Sequence, residues 1–565
     1  MPPISRRHEA SSWVTLALAL AALPCFAAPA PDLGTDQQRQ AGKPLYDRHC
    51  SQCHGEKGDG LGVAAPFLSP KPRDFTSGKF KIRTTPSGAL PTTQDLKAII
   101  RAGMPYTAMP GWPQFNDRQL TDVAYYVKSF AADFADPDRQ PEPIQSPPVP
   151  AISGESIGRG KKLYEELGCA RCHGETGRSD GVAAPTLTDD WGYLIRSADL
   201  TRRWTFRGGP TRQEIFRAFS TGLNGTPMPS FVDALTVEQR WDLADFVYSL
   251  SPRDSPEYAT LLVAKKVARE LDLAEGAKLF EEAEPAYFPV IGQIMQPGRA
   301  FHPSCNGIAV RAVYNETDIA FELRWNDMRA EVTGKNGPEL AVAAAEDEGD
   351  EPAAAPPAAE GGGGWGDAEA AAPAAEPAAA PADVWGEGEA GAAASAAVPQ
   401  SEFSDAVAIQ FPAEKSLTIR KPYFVFGDKG NAVNLWFVDL AKPEPALYVG
   451  RGSDSLEPLG PRDLTVTRGY DKGEWTVVFK RRLRSQGEVT FEEQGFLPIA
   501  FSVWDGLAGE RGNKRGLTNW WTVYLSPDEK PSLVREMAKW GGLAFALEVV
   551  FIGWARRRAH NSAGS

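Results

Sequence analysis

The 565-residue chain is poor in the residues that build metal centres and covalent cross-links, with 6 histidines, 6 cysteines and 7 methionines. So few cysteines exclude a disulfide framework. So few histidines leave little for a histidine-rich reaction centre. Long apolar runs are scarce too, and only the two ends of the chain carry one. A net charge of −13 argues against nucleic acid as a partner, because the surface would repel phosphate. Part of that charge sits in one acidic insert, so it says little about any other docking face. The remainder is ordinary for globular domains, 42% hydrophobic and 24% charged, and the chain is too long for one core.

The scarce residues are concentrated. Cys50-Ser-Gln-Cys53-His54 and Cys169-Ala-Arg-Cys172-His173 both read Cys-x-x-Cys-His, the attachment signature of a c-type haem. Two thiols a short turn apart can both add to the vinyl edge of one porphyrin, and the adjacent imidazole then lies under the iron. A redox pair or half a zinc site would explain one copy, but not two copies in matching surroundings. Gly42-Lys43-x-Leu45-Tyr46 precedes the first motif and Gly160-Lys161-x-Leu163-Tyr164 the second. Val63 to Pro66 and Val182 to Pro185 follow, with each proline 12 positions after its histidine. Met109-Pro110 and Met228-Pro229 each lie 55 positions after His54 and His173. A thioether there completes His/Met ligation, which raises the potential and suits electron transfer. Met104 rivals Met109, but its counterpart in the second repeat is Leu223, so Met109 is preferred.

Both repeats resemble class I cytochrome c domains, over residues 35–135 and 154–252. Each predicts a helix before the motif, a Met-Pro loop and a closing amphipathic helix. Val123, Tyr126, Val127 and Phe130 recur at helical spacing in one closing helix; Leu243, Phe246, Val247 and Leu250 do so in the other. Between the domains, residues 136–153 are rich in proline and read as a semi-rigid extended spacer tethering two independent haem domains.

The ends of the chain point outside the cytoplasm. Residues 1–30 carry Arg6, Arg7, an apolar run from Trp13 to Leu23 and small residues at Ala27-Ala28, the pattern of a signal peptide for the general export route. Export agrees with c-type attachment, which the family carries out beyond the bacterial cytoplasmic membrane. Of the six cysteines, four fall in the haem motifs, Cys25 in the signal, and Cys305 is left over. At the other end Leu533 to Ala555 is mostly apolar and is followed by Arg556-Arg557-Arg558. That length spans about 30 Å of hydrocarbon as a transmembrane anchor, with the arginines inside and all else on the periplasmic side of the inner membrane.

From about 258 to 530 the texture changes to short runs of β-branched and aromatic residues. Examples are Ile308 to Tyr314, Ile319 to Trp325, Ala406 to Phe411, Val433 to Phe437 and Ile499 to Trp504. They predict an antiparallel β-sandwich. The overall fold class is therefore two all-α cytochrome c domains, a β-sandwich domain and a C-terminal transmembrane helix. An insert over 337–399, dominated by Ala, Pro, Glu and Gly, cannot bury enough apolar surface to fold and reads as a disordered acidic loop.

Within the β region, Tyr314-Asn315-Glu316-Thr317-Asp318, Arg324-Trp325-Asn326-Asp327, Phe403-Ser404-Asp405-Ala406, Gly473-Glu474-Trp475, Ala500-Phe501-Ser502-Val503-Trp504-Asp505-Gly506 and Gly509-Glu510-Arg511 stand in order. Together they resemble the haem-binding gamma subunit of the ethylbenzene and dimethylsulfide dehydrogenase family. That resemblance implies a non-covalent b-type haem held by a lysine and a methionine. It also implies that electrons come from a molybdenum oxidoreductase through an iron–sulfur subunit. Lys514 fits the lysine position. The methionine position reads Pro422-Tyr423-Phe424-Val425-Phe426-Gly427, without sulfur; Met328, and after it Met295, are the substitutes. His302 and Cys305 read as local structure.

Two functions compete. One is an electron-transfer subunit with two covalent haem c groups, Cys50/Cys53 and Cys169/Cys172 holding the porphyrins and His54/Met109 and His173/Met228 the irons. It would link an exported oxidoreductase to a respiratory electron carrier at the membrane. The other is a dihaem enzyme such as a cytochrome c peroxidase, which needs an open sixth position with acid–base groups beside it. Both irons have a methionine candidate and His49 is the sole spare histidine near either motif, so electron transfer is favoured.

Overall fold

The computed structural model describes residues 31–251, 255–343, 401–414, 421–459, 463–485, 490–528 and 533–562. The signal peptide, Pro252 and residues 344–399 of the insert lie outside them.

The first domain contains α1 (Asp36–His49), a single turn α2 (Ser51–His54), α3 (Thr93–Ala102) and α4 (Asp117–Lys128). The second repeats this as α5 (Gly154–Glu166), α6 (Ala170–His173), α7 (Arg212–Thr221) and α8 (Val237–Ser249). Capping boxes start α1 (Thr35 with Gln38), α4 (Asn116 with Gln119) and α8 (Thr236 with Gln239), each satisfying otherwise orphaned N–H groups. In each domain the first and last helices cross at a glycine. A Cβ on Gly42 would stand 2.1 Å from the Asp122 carbonyl oxygen, and one on Gly160 1.9 Å from that of Asp242. Only glycine permits backbones this close. The closing helices bury Val123 and Val127 in one core, and Leu243, Phe246 and Val247 in the other.

The spacer does more than separate the haem domains. After a short 3-10 turn at Pro137–Arg139 it runs extended. The Ile144 N–H donates to Thr84 O at 2.7 Å, and Arg212 donates to Pro150 O at 2.8 Å. The domains themselves touch: Lys79 pairs with Asp190 at 2.5 Å, and the Arg73 guanidinium lies over the Trp191 ring at 4.3 Å. They are docked, not independent.

The third domain is a β-sandwich. One sheet runs through Thr465–Asp471, Glu474–Arg482, Asp318–Asn326, Gly307–Tyr314, Leu261–Lys266 and Trp521–Ser526. The other runs through Phe496–Trp504, Ala406–Pro412, Val433–Asp439, Ala446–Gly450 and Leu456–Leu459. Phe496–Trp504 pairs with Trp521–Ser526 by its first half and with Ala406–Pro412 by its second, so it turns the corner between sheets. Pairing is antiparallel except at Leu261–Lys266, which is parallel to both neighbours. The core between the sheets holds Phe321, Trp325, Phe411, Trp436 and Phe501. The beginning of the acidic insert belongs to this fold. Asn336, Gly337 and Pro338 are buried, and Gly512 N–H donates to Gly337 O at 3.2 Å.

The second haem domain rests on the sandwich through Arg196, which donates to Ser304 Oγ at 2.8 Å and pairs with Asp505 at 3.3 Å. Last comes α9 (Leu533–Ser562), in which Met537–Arg556 is long and apolar enough to cross a membrane and none of it is buried against the protein.

Candidate haem centres

The two Cys-x-x-Cys-His turns have the same geometry. His54 N–H donates to Cys50 O at 2.9 Å, and His173 N–H to Cys169 O at 2.9 Å, closing each turn so that both thiols and the imidazole leave from one short segment. Tyr46 and Tyr164 fasten the turns by donating their hydroxyls at 2.6 Å to Gly55 O and Gly174 O. The four cysteines are free thiols and only partly buried. Burial pushes the Cys50 thiol up to about 12 and the Cys169 thiol up to about 11.

Each histidine is oriented from behind. A carbonyl only accepts, so Nδ1 carries the proton: His54 Nδ1 donates to Arg73 O at 2.9 Å, and His173 Nδ1 to Ala198 O at 2.9 Å. Nε2 is left with its lone pair for a metal, and burial lowers the pKa of both imidazoles, favouring the neutral form. Phe75 stacks on the His54 ring at 4.4 Å and limits its rotation. The acceptors Arg73 and Ala198 were invisible in the sequence. They stand 19 and 25 residues after their histidines, where the repeats differ in length, and any residue type can supply a carbonyl.

The methionine loops also match. α3 and α7 end at Gly103 (φ +71°) and Gly222 (φ +65°), whose positive φ turns the chain back. In the first loop Met104 N–H donates to Met109 O at 3.1 Å, and Thr107 Oγ1 accepts from Met109 N–H at 3.1 Å. In the second Leu223 N–H donates to Met228 O at 3.1 Å, and Thr226 Oγ1 accepts from Met228 N–H at 3.3 Å. Met109 and Met228 therefore occupy one position in two copies of the same loop, and Met104 is the equivalent of Leu223. Met228 and Cys169 pack against the same core. His49, the spare histidine, packs against Trp112 with ring centroids 4.6 Å apart and planes tilted by 59°. The parts present fit a covalently held haem in each domain: two free thiols, one imidazole with an unblocked nitrogen, and a thioether loop.

In the β domain Lys514 lies in a tight turn whose N–H donates to Arg511 O at 2.8 Å. The Pro422–Gly427 segment is adjacent, since Arg515 packs over the Phe426 ring at 3.7 Å. That segment carries no sulfur. Met328 is buried in the turn after Asn326. Met295 is exposed, and its loop is tied to that of Lys514 by Gln293, which accepts from Met295 N–H at 2.6 Å and donates to Asn513 O at 3.1 Å. Lys514 is thus present, while the sulfur of a b-type haem site would have to come from Met328 or Met295, outside the Pro422–Gly427 segment. Cys305 is buried, with its thiol donating to Gly307 O at 3.3 Å, which agrees with a structural role.

Comparison with known proteins agrees with this geometry. Residues 37–127 match the family described as cytochrome c oxidase, cbb3-type, subunit III, and residues 157–251 the cytochrome c family. The chain thus carries two cytochrome c-type domains. It is similar to dimethylsulfide dehydrogenase subunit gamma of Rhodovulum sulfidophilum, 30% identical over 142 residues, covering 24% of this chain and 52% of that protein. It is also similar to the cytochrome bc1 complex cytochrome c subunit of Mycobacterium leprae, 25% identical over 218 residues, covering 38% of this chain and 63% of the relative. It thus spans between half and two thirds of the length of these relatives. A solved chain of the Kuenenia stuttgartiensis reducing HAO-like protein complex is 40% identical over 39% of this chain and 99% of its own, with a TM-score of 0.37.

Proposed function

We propose that the protein is a membrane-anchored electron-transfer subunit that connects an exported oxidoreductase with the respiratory chain. Cys50/Cys53 and Cys169/Cys172 would hold two covalent haems, with His54/Met109 and His173/Met228 as the ligands of their irons. When bound, each haem supplies a one-electron couple. The chain's own residues set the conditions. Arg73 O and Ala198 O fix the imidazoles, and the Met loops would offer a thioether to each iron. The observation that carries this reading is the duplicated arrangement itself, a carbonyl-oriented histidine and a threonine-braced methionine in both domains.

Similarity to dimethylsulfide dehydrogenase subunit gamma supports an oxidoreductase as partner, and by that resemblance a molybdenum enzyme with an iron–sulfur subunit. The anchor is α9, which would place the remainder on the periplasmic side. A b-type haem has no part in this reading, because the Pro422–Gly427 stretch, where the family's methionine is expected, carries no sulfur.

Two measurements on the purified protein test this. Met109→Ala and Met228→Ala should each abolish one of two methionine-to-iron charge-transfer bands and leave the other. An unchanged spectrum in either variant would refute the ligand assignment, and a high-spin ferric haem in the unmutated protein would favour a peroxidase. Acid extraction should release no porphyrin; one extractable haem would show that the β domain holds a b-type group, with Lys514 and Met328, or after it Met295, as the candidate ligands.

A further inference from the structure

The two methionine loops are alike in sequence but are held by different things. Around the second, the first haem domain makes two hydrogen-bonded contacts and backs a third through Arg73. Arg83, fully buried, donates from Nη2 to Thr221 O at 2.6 Å and from Nη1 to Gly222 O at 3.3 Å. Those carbonyls end α7, where the helix dipole is negative and backbone acceptors lack partners, so a buried guanidinium is well matched to them. Next along the loop, Asn224 Oδ1 accepts from Gly88 N–H at 3.0 Å while its Nδ2 donates to Ala89 O at 3.3 Å. Beyond it Gly225 lies under Trp191, on whose ring Arg73 is stacked at 4.3 Å. A Cβ on Gly225 would be 2.7 Å from that indole.

Arg83 is braced within its own domain, donating to Pro86 O at 3.1 Å from both Nε and Nη2. Burial lowers its pKa to about 10, which leaves it charged at neutral pH. The loop of Met109 has a different neighbour: Tyr106 is hydrogen-bonded to Tyr258 at the edge of the β domain.

We propose that Arg83 of the first haem domain is a positioning residue for the second haem, holding the Thr221–Met228 loop closed so that Met228 stays on its iron. The inference rests on Met228 being the axial ligand. An exogenous ligand such as imidazole reaches a ferric His/Met haem only when the thioether leaves, so its affinity reports how firmly the loop is shut. Without Arg83 the loop opens at less cost, and imidazole binds the second haem more tightly while the first is unaffected.

The experiment uses full-length, haem-loaded protein in a Met109→Ala background, where the one remaining methionine-to-iron band belongs to the second haem. Imidazole is titrated against that band for the parent, Arg83→Met, Arg83→Lys and Asn224→Ala. Loss of the charge-assisted hydrogen bonds to Thr221 O and Gly222 O should raise the affinity about tenfold or more in Arg83→Met. Arg83→Lys, which keeps a donor, should fall between it and the parent. Asn224→Ala, at a half-buried contact, should fold normally and shift the affinity in the same direction by a smaller factor. The same imidazole affinity in all four proteins overturns the proposal while the ligand assignment stands. If Met228→Ala leaves that band in place, the ligand assignment itself falls, and the clamp with it.

Discussion

Glu510 is the residue where burial and charge act most directly on stability. Its carboxylate accepts from Ser304 N–H at 2.9 Å and Asp505 N–H at 3.0 Å, which favours the anion. Burial dominates, reinforced by the Asp505 carboxylate, and pushes its pKa from 4.5 up to about 8. Asp327 and Asp405, buried nearby, are shifted upward for the same reason. An acid whose pKa is higher when folded binds more protons folded than unfolded. Its contribution is therefore largest at low pH and is lost as pH rises from about 4.5 to about 8. Glu510→Gln removes that proton linkage. Denaturant titrations should show the variant gaining on the parent as pH rises from 5 to 8; a difference independent of pH would rule out this titration.

At the scale of elements, the crossing of the first and last helix of each haem domain is set by a glycine. A methyl group on Gly160 would need the Asp242 backbone to retreat, because no flexible side chain is there to give way. Gly160→Ala should destabilise the second domain by about 3 kcal/mol, seen as a lower melting temperature, whereas Gly158→Ala, with open space around its Cβ position, should be neutral or slightly stabilising. These helices were readable in advance from Leu243, Phe246 and Val247 and from the capping residues, since periodicity and caps are local properties. The β strands were readable as strands. The corner made by Phe496–Trp504 and the parallel entry of Leu261–Lys266 were not, because partner choice depends on segments far apart in sequence.

For the whole molecule, the exposed apolar helix α9 is the candidate membrane anchor. At about 1.5 Å per residue its 30 residues reach about 45 Å, enough to cross the hydrocarbon and its interfaces. Truncation after Asp528 should release the protein from membranes in a salt-independent way while both c-type spectra persist; a truncated form still pelleting with membranes would assign anchoring to another surface. Arg196 and Arg83 make the assembly compact ahead of that anchor, one against the sandwich and one between the haem domains.

Sequence alone determined the haem motifs, the methionine loops, the class of each domain and the apolar tail, because covalent attachment, helical periodicity and membrane length are written in short-range spacing. Tertiary structure alone decided which carbonyl steers each imidazole and that Phe426 packs beneath Arg515, next to Lys514. It also showed that the proline-rich stretch joins docked domains and that an arginine of one domain grips the loop of the other. Those contacts connect residues as far apart as Arg83 and Thr221. Only the folded chain brings such groups within hydrogen-bonding range, so no local pattern could have announced them.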